Sequence, residues 1–545
     1  MSKTIQAITN QIWSMANELR GNMDASEYKN YILAFMFYRY LSEHQERFLV
    51  EDEIISPAPG ETVQDAYARE AVGNDLVEYL ENTASHLGYA IAPEDTWARL
   101  VAKIDNSEIV ASDYQTIFDH FNANVELNQD AMEDFRGVFN DINLGDSRLG
   151  NSTVARAKSL NSIVKLIDSI EYKNDEGKDI LGEIYEYLIG QFAASAGKKG
   201  GEFYTPHQVS KILAKIVTLG LEKSDTSFSV YDPTMGSGSL LLTVRNELPQ
   251  GQHIKFYGQE MNTTTYNLAR MNLMMHQVGY SNMILNNADT LESDWPDGVD
   301  ELGIDQPRSF DAVVANPPYS AKWDNRESKL KDPRFMEYGK LAPASKADFA
   351  FILHSLYHLN NTGTMAIVLP HGVLFRGAAE GHIRKLIIEK NYLDAVIGLP
   401  ANLFYGTGIP TTILVFKKNR QTRDVFFIDA SKEFEKGKNQ NHLSDDMVEK
   451  IVETYHNRQS VDKYAHLASI EEIVENDYNL NIPRYVDTFE EEEEIDLGQV
   501  TQQLEQDRLE IRALEDKIRQ QLILNKNQKQ TSQVFLNHCL LTIGF

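Results

Sequence analysis

Three features of the 545-residue sequence predict an α/β protein whose core is a doubly wound parallel sheet, with a helical domain before it and a helical tail after it. Between residues 227 and 416, short apolar runs rich in β-branched residues alternate with amphipathic stretches of helical period, the pattern of repeated strand–helix units. The first run ends in a glycine-rich turn, Asp232-Pro233-Thr234-Met235-Gly236-Ser237-Gly238-Ser239, directly before a helix. A later run, residues 310–315, halts at Asn316-Pro317-Pro318-Tyr319, because consecutive prolines cannot donate to a ladder and fix φ.

Composition sets the outer bounds. With 42% hydrophobic and 24% charged residues the chain is of soluble globular type, and its length suits two or three domains. The longest apolar stretch, residues 31–41, is broken by Arg39 and is too short to span a bilayer, and the first residues carry no secretory apolar segment. Cys539 is the only cysteine, which excludes an intrachain disulfide framework and a Cys-based metal site. A cytoplasmic protein is expected, with no membrane contact and no metal. The formal net charge of −28 repels a phosphate backbone, so action on nucleic acid needs a local basic face or a partner.

Residues 1–165 read as a helical domain. Ile5, Ile8, Ile12, Met15 and Leu19 follow the steps of one helix face, and Tyr31, Ile32, Phe35 and Met36 belong to a second, heavily apolar helix. Further helices are predicted over 76–87 and 114–121. No cluster here carries chemistry, so the domain is expected to pack and to bind partners. Another helix over 178–194 leads into Gly197-Lys198-Lys199-Gly200-Gly201, a basic turn, and then Glu202-Phe203-Tyr204-Thr205-Pro206-His207. Thr205 suits an N-cap and Pro206 a first helical position, ahead of the face Val209, Ile212, Leu213, Ile216 and Val217. Read alone this is a helix start; aromatics beside free N–H groups also make a ligand site.

Strands are predicted over 227–231, 254–259, 283–286, 310–315, 364–369, 393–399 and 412–416. The turn after the first lets a ligand approach the backbone, and it lacks the Lys-Ser/Thr ending of a P-loop. The second strand ends in Glu260, an acid placed to hold ribose hydroxyls, and the third leads to Asp289, which could accept from an adenine amine. Each acid taken alone is more often a solvated loop residue. The Asn316 carbonyl and the backbone carbonyl after it can each accept a hydrogen from one planar NH2 group, with Tyr319 able to stack on the ring that bears it. An isolated Asn-Pro-Pro-Tyr also reads as a chain cap. Residues 321–346 concentrate Lys322, Arg326, Lys329, Lys331, Arg334, Lys340 and Lys346 against Asp324, Glu327, Asp332 and Glu337, a locally basic loop in an acidic chain. The globular part closes near 479–485. Beyond the acidic run 490–494, Leu497, Val500, Leu504, Ile511, Leu514 and Ile518 form a heptad stripe that wants a partner helix.

Phe203-Tyr204-Thr205-Pro206, the Asp232–Ser239 turn, Glu260 and Asn316-Pro317-Pro318-Tyr319, in that order, resemble the amino-group DNA methyltransferases that use S-adenosylmethionine and make N6-methyladenine. The helical N-terminal region and Asn476-Asp477-Tyr478-Asn479-Leu480-Asn481-Ile482-Pro483-Arg484-Tyr485 resemble the modification (M) subunit of type I restriction–modification systems. The resemblance covers nearly the whole chain to about residue 520. It implies a Rossmann-like, doubly wound methyltransferase domain over 166–485, an N-terminal helical domain over 1–165 and a C-terminal helical tail for partner docking over 486–545. It implies that Glu202, Phe203, Tyr204, Thr205, Pro206 and His207 border the methionine part of the cofactor. The loop with Asp232, Gly236, Ser237, Gly238 and Ser239 would pass beneath it, Glu260 would hold its ribose and Asp289 its adenine. Asn316 and the Pro317 carbonyl would grip the target amine, with Pro318 fixing the turn and Tyr319 stacked on the base. Members of that family also carry Phe at the Tyr319 position. The implied partners are double-stranded DNA, a specificity (S) subunit, a second copy of the M subunit and a restriction (R) subunit. The alternatives are methylation of another planar amine, a protein glutamine or an RNA base, and a scaffold that keeps only the fold.

Overall fold

The β-branched runs pair into one nine-stranded sheet. The computed structural model describes residues 8–10, 12–14, 25–172, 180–196, 204–292, 297–299, 305–438, 440–488 and 497–542. Residues 1–487 form one unit and 488–545 another. The sheet strands are β1 Phe228–Asp232, β2 Ile254–Gln259, β3 Met283–Asn286, β4 Phe310–Ala315, β5 Leu359–Pro370, β6 Leu393–Gly398, β7 Thr411–Lys417, β8 Val425–Asp429 and β9 Ala465–Ala468. In space they run β9-β8-β6-β7-β5-β4-β1-β2-β3.

The sheet is mixed, not wholly parallel as the alternation predicts. Strands β3, β2, β1, β4 and β5 are parallel neighbours, as are β6 and β8. Strand β7 lies antiparallel between β5 and β6, and β9 antiparallel on the edge. A parallel return needs a crossover of a dozen or more residues, usually helical. Residues 399–410 contain no helix, so β7 turns back beside β6. Strands β8 and β9 escape the sequence reading, although Val425-Phe426-Phe427-Ile428 is a fully buried apolar run of the expected kind.

Helices of eight residues or more, among the described residues, are α1 Ala25–Glu51, α2 Val63–Glu70, α3 Asn74–Leu87, α4 Trp97–Asp105, α5 Ala111–Val125, α6 Thr153–Asp168, α7 Leu181–Ala196, α8 His207–Val217, α9 Ser239–Glu247, α10 Thr263–Met275, α11 Asp348–Tyr357, α12 Ala378–Glu389, α13 Asp445–Asn457 and α14 Leu497–Thr542. Over residues 31–41 helix α1 is apolar almost all round because it is the centre of the N-terminal core, where Phe35 meets Tyr114 and Phe118. Arg39, the one charge in that stretch, binds the Ile167 and Ile170 carbonyls at the end of α6 and lies over the Tyr172 ring. The segment between α5 and α6 is bonded to α10: Asp141 accepts from Thr264 (2.8 Å) and Asn267 (2.6 Å), and Arg270 donates to the Glu133, Asp134 and Arg136 carbonyls.

Helix α14, 46 residues long, is about 70 Å from end to end at 1.5 Å per residue. Val500, Leu504, Ile511, Leu514 and Ile518 are all exposed on it. Residues 490–494, Ile5, Met15 and Leu19, and the Leu497 side chain lie outside the described residues. None of the described helices is long and apolar enough to cross a membrane, and the described residues hold no cluster of three His, Cys, Asp or Glu able to bind a metal.

Candidate active site

The chain passes from β1 outward through β2 and β3, then returns to β4 on the other side of β1. That reversal opens a crevice at the carboxyl ends of β1 and β4, where open α/β sheets bind ligands. Register fixes what meets there: Tyr231 pairs with Val313, so the Asp232 turn and Asn316 emerge side by side. Asp232 also pairs with Gly258, which sets Glu260 at the same edge.

A pocket at this point is lined by Tyr204, Thr205, Asp232, Gly236, Ser237, Ser239 and Asn316, among others. The Asn316 amide is held at both ends. Its Nδ2 donates to Thr205 Oγ1 at 3.0 Å, and its Oδ1 accepts from the Tyr319 hydroxyl at 2.8 Å. This corrects the reading of Thr205 as an N-cap with Pro206 as the first helical residue. Helix α8 starts at His207, the Pro206 carbonyl takes its first bonds from Val209 and Ser210, and the Thr205 hydroxyl accepts from Asn316. Burial pushes the Tyr319 phenol well above its ordinary value, with the Asp348 charge adding, which keeps it a donor.

In the turn, Gly236 and Gly238 have φ of +55° and +75°, a region L side chains rarely adopt. The Gly236 N–H donates to Glu260 Oε2 at 3.2 Å, while Glu260 Oε1 accepts from the Asn262 N–H at 2.8 Å. Burial raises the Glu260 carboxyl, against the backbone N–H bonds that lower it. Burial also pushes the Asp232 carboxyl up to about 8, against the Thr234 N–H bond and with the Glu260 charge raising it further. Gly238 lies outside the pocket lining and has a packing duty. A Cβ there would sit 2.4 Å from Leu273 Cδ1 of α10.

The other predicted positions are less central. Asp289 is half-buried and accepts from the Leu291 N–H at 2.9 Å. Its loop docks on its neighbours, Thr290 donating to the Pro233 carbonyl and Asn287 to the Glu260 carbonyl. Pro206 precedes α8 and His207 begins it, neither lining the pocket, with His207 exposed; Pro317 is buried and Pro318 exposed. Glu202 and Phe203 lie outside the described residues.

Three residues escape the sequence reading. Phe404 meets the Tyr319 ring edge-on at 5.8 Å, and Tyr405 lies 6.0 Å from Tyr204, so the 399–410 loop flanks the pocket with aromatics. Their signal is an aromatic pair ahead of Gly406, between two strands at this sheet edge. On α7, Glu186 bonds Ser239, and burial pushes its carboxyl up to about 7. Nothing in its helical sequence context distinguishes it from a solvated acid.

Comparisons with known proteins identify the family. Residues 176–494 match the family described as N-6 DNA Methylase, and residues 8–167 match the HsdM N-terminal domain. The MpnII type I restriction enzyme methylase subunit of Mycoplasma pneumoniae (strain ATCC 29342 / M129 / Subtype 1) is 38% identical over 505 residues, 90% of this chain and 91% of that protein. The crystal structure of a type I restriction–modification methyltransferase subunit from Streptococcus thermophilus is 46% identical with a TM-score of 0.81, covering 89% of this chain and 100% of that one. A chain from a structural study of type I complex assembly and conformational transition has the same fold at 17% identity, with a TM-score of 0.60 and coverage of 94% and 98%. The chain belongs to the N-6 DNA methylase family, among the methylase subunits of type I restriction–modification systems.

Proposed function

We propose that the chain transfers a methyl group from S-adenosylmethionine to the N6 amine of an adenine flipped out of duplex DNA. The observation that carries this is Asn316, its amide held between Thr205 and Tyr319 and facing the pocket of the Asp232–Ser239 turn. The residues present suit the cofactor: a glycine turn with an open backbone, buried Asp232 and half-buried Tyr204 beside it, and a carboxylate at Glu260 able to accept from hydroxyls. S-adenosylmethionine, when bound, supplies an already activated methyl electrophile.

The chain's own residues do the rest. An amide oxygen has two lone pairs, so Asn316 Oδ1 keeps one for an amine hydrogen while Tyr319 holds the other. The Pro317 carbonyl takes the second amine hydrogen, which draws the nitrogen lone pair out of conjugation. Extruding an adenine costs a few kcal/mol, and an aromatic stack on Tyr319 offsets ~1–3 kcal/mol of it. Alignment of the reactants supplies most of the acceleration. A chain of net charge −28 binds phosphates poorly alone, so a specificity subunit reads the bases, joined by a second methylase chain and a restriction subunit. Helix α14, with its exposed Leu504 and Leu514, offers the docking stripe.

The test is nucleoside analysis of duplex DNA after incubation with cofactor and the chain co-expressed with its specificity subunit. N6-methyladenine is expected; a methylated cytosine as the product overturns the proposal.

A further inference from the structure

Beyond Tyr319 the chain forms a ribbon. The Ser320 N–H donates to Asp348 Oδ1 at 2.8 Å, the Ala347 N–H to the Ala321 carbonyl at 2.9 Å, and the Trp323 N–H to the Ala344 carbonyl at 3.0 Å. Trp323 Nε1 to the Pro343 carbonyl and Asn325 Nδ2 to the Ala342 carbonyl, both 3.1 Å, continue the zip outward. Residues 320–325 and 342–348 therefore run as two antiparallel arms rooted directly at the Asn316 turn. The root is firm: Asp348 is fully buried and paired with Arg376.

The structure sorts the seven cations of this loop into two kinds. Arg326 pairs with Glu292 and Asp324, buried Lys329 with Glu292 and the Leu291 carbonyl, and buried Arg334 with Asp332 and the Thr290 carbonyl. These hold the loop against the sheet. Lys322, Lys331, Lys340 and Lys346 have no hydrogen-bond or ion-pair partner among the described residues. Four nearby acids are answered, Asp324 by Arg326, Asp332 by Arg334, Asp348 by Arg376 and Glu337 by Lys390, and exposed Glu327 is left against the four lysines, so the unpaired charge of the loop is positive. Lys322 is exposed on one arm and Lys346 half-buried on the other, each one step out from the root. A half-buried lysine lays its stem on the protein and keeps its ammonium in water.

We infer that Lys322 and Lys346 form a phosphate clamp for the DNA backbone beside the target base. The inference rests on the DNA substrate proposed above and assigns a contact surface to it. Two unpaired cations on a rigid ribbon, next to the reactive amide of a −28 chain, answer the charge of a duplex backbone where extrusion of a base needs it held. They carry no base specificity.

The experiment measures the affinity of a mixed-sequence 40-base-pair duplex from 50 to 200 mM salt, using the full chain co-purified with its specificity subunit. Each phosphate contact contributes about 0.9 to the slope of log K against log salt. Lys322→Gln with Lys346→Gln should lower the slope by about 1.8, so the variant loses roughly 12-fold less affinity than wild type over that range. Lys255→Gln, exposed where β2 starts at the opposite sheet edge, should leave the slope unchanged. An unaltered slope in the double variant overturns the clamp, as does equal loss in the Lys255 control. A slope change seen with single-stranded RNA and absent with the duplex assigns the surface to another ligand and overturns it too. Absence of methyl transfer to DNA by the wild-type complex would instead strike the proposed function, and the two failures read differently.

Discussion

At Gly238 a single added methyl group is predicted to be strongly destabilising. Its φ of +75° and the 2.4 Å approach of an added Cβ to Leu273 Cδ1 impose two separable costs on Gly238→Ala. Left-handed backbone costs an alanine about 1 kcal/mol, and overpacking in a dense core costs roughly 1–3 kcal/mol. Together, about 2–4 kcal/mol is withdrawn from the α9 N-terminus. Amide hydrogen exchange of peptides spanning residues 236–247 reads this locally and should speed up by roughly 30- to 900-fold, at 1.36 kcal/mol per decade. Leu273→Val removes the clashing carbon at a cost of its own, about 1 kcal/mol. The double variant should therefore be less destabilised than the two singles added together, by about 1–3 kcal/mol. Additivity within 0.5 kcal/mol would mean the α9–α10 contact does not limit this position.

Asp348→Asn breaks the buried Arg376 pair and weakens the hold on Ser320, whose φ of +52° is strained for a non-glycine. Turnover should fall by about ten- to a hundredfold with cofactor affinity retained, as small misplacements near the chemistry do, measured by steady-state kinetics of the assembled enzyme. Asp232 binds a proton in the folded chain up to about pH 8 and in the unfolded chain only to about 3.8. Between those values the folded state holds more protons, so rising pH costs stability throughout that window. Asp232→Asn should flatten the decline in melting temperature between pH 5 and 8, followed by differential scanning fluorimetry. Leu504→Asp with Leu514→Asp, both exposed on α14, should abolish co-purification of the specificity subunit and leave the unfolding of residues 1–487 unchanged.

What was legible in the sequence was local. The double proline after residue 315, the glycines of the Asp232 turn and the acid after β2 are signals written within a few residues, and the strands before them fall where the apolar runs lie. What escaped depends on contacts far apart in the chain. Thr205 meets Asn316 across 111 residues, so its hydroxyl could not be told from a cap by its neighbours alone. Strand β7 reverses because the segment before it lacks a helix, and its side-chain pattern is the same in either direction. Lys329 and Arg334 look like surface charge in a polar loop and are buried, with carboxylates and carbonyls brought in from elsewhere. Phe404 and Tyr405 gain meaning only once the sheet edge places them beside Tyr319 and Tyr204.

The central claim is that Asn316 serves the reactive step and does not simply cap a strand. Its most direct test is Asn316→Ala in the assembled enzyme, with label transfer from radioactive S-adenosylmethionine to duplex DNA measured alongside cofactor affinity by calorimetry. Loss of an interaction made in the transition state lowers turnover and leaves ground-state affinity in place. The account predicts transfer reduced by at least a hundredfold and cofactor affinity within about twofold of wild type, an oxyanion-type donor or acceptor being worth about 10²–10³ in rate. Transfer near the wild-type rate would contradict it.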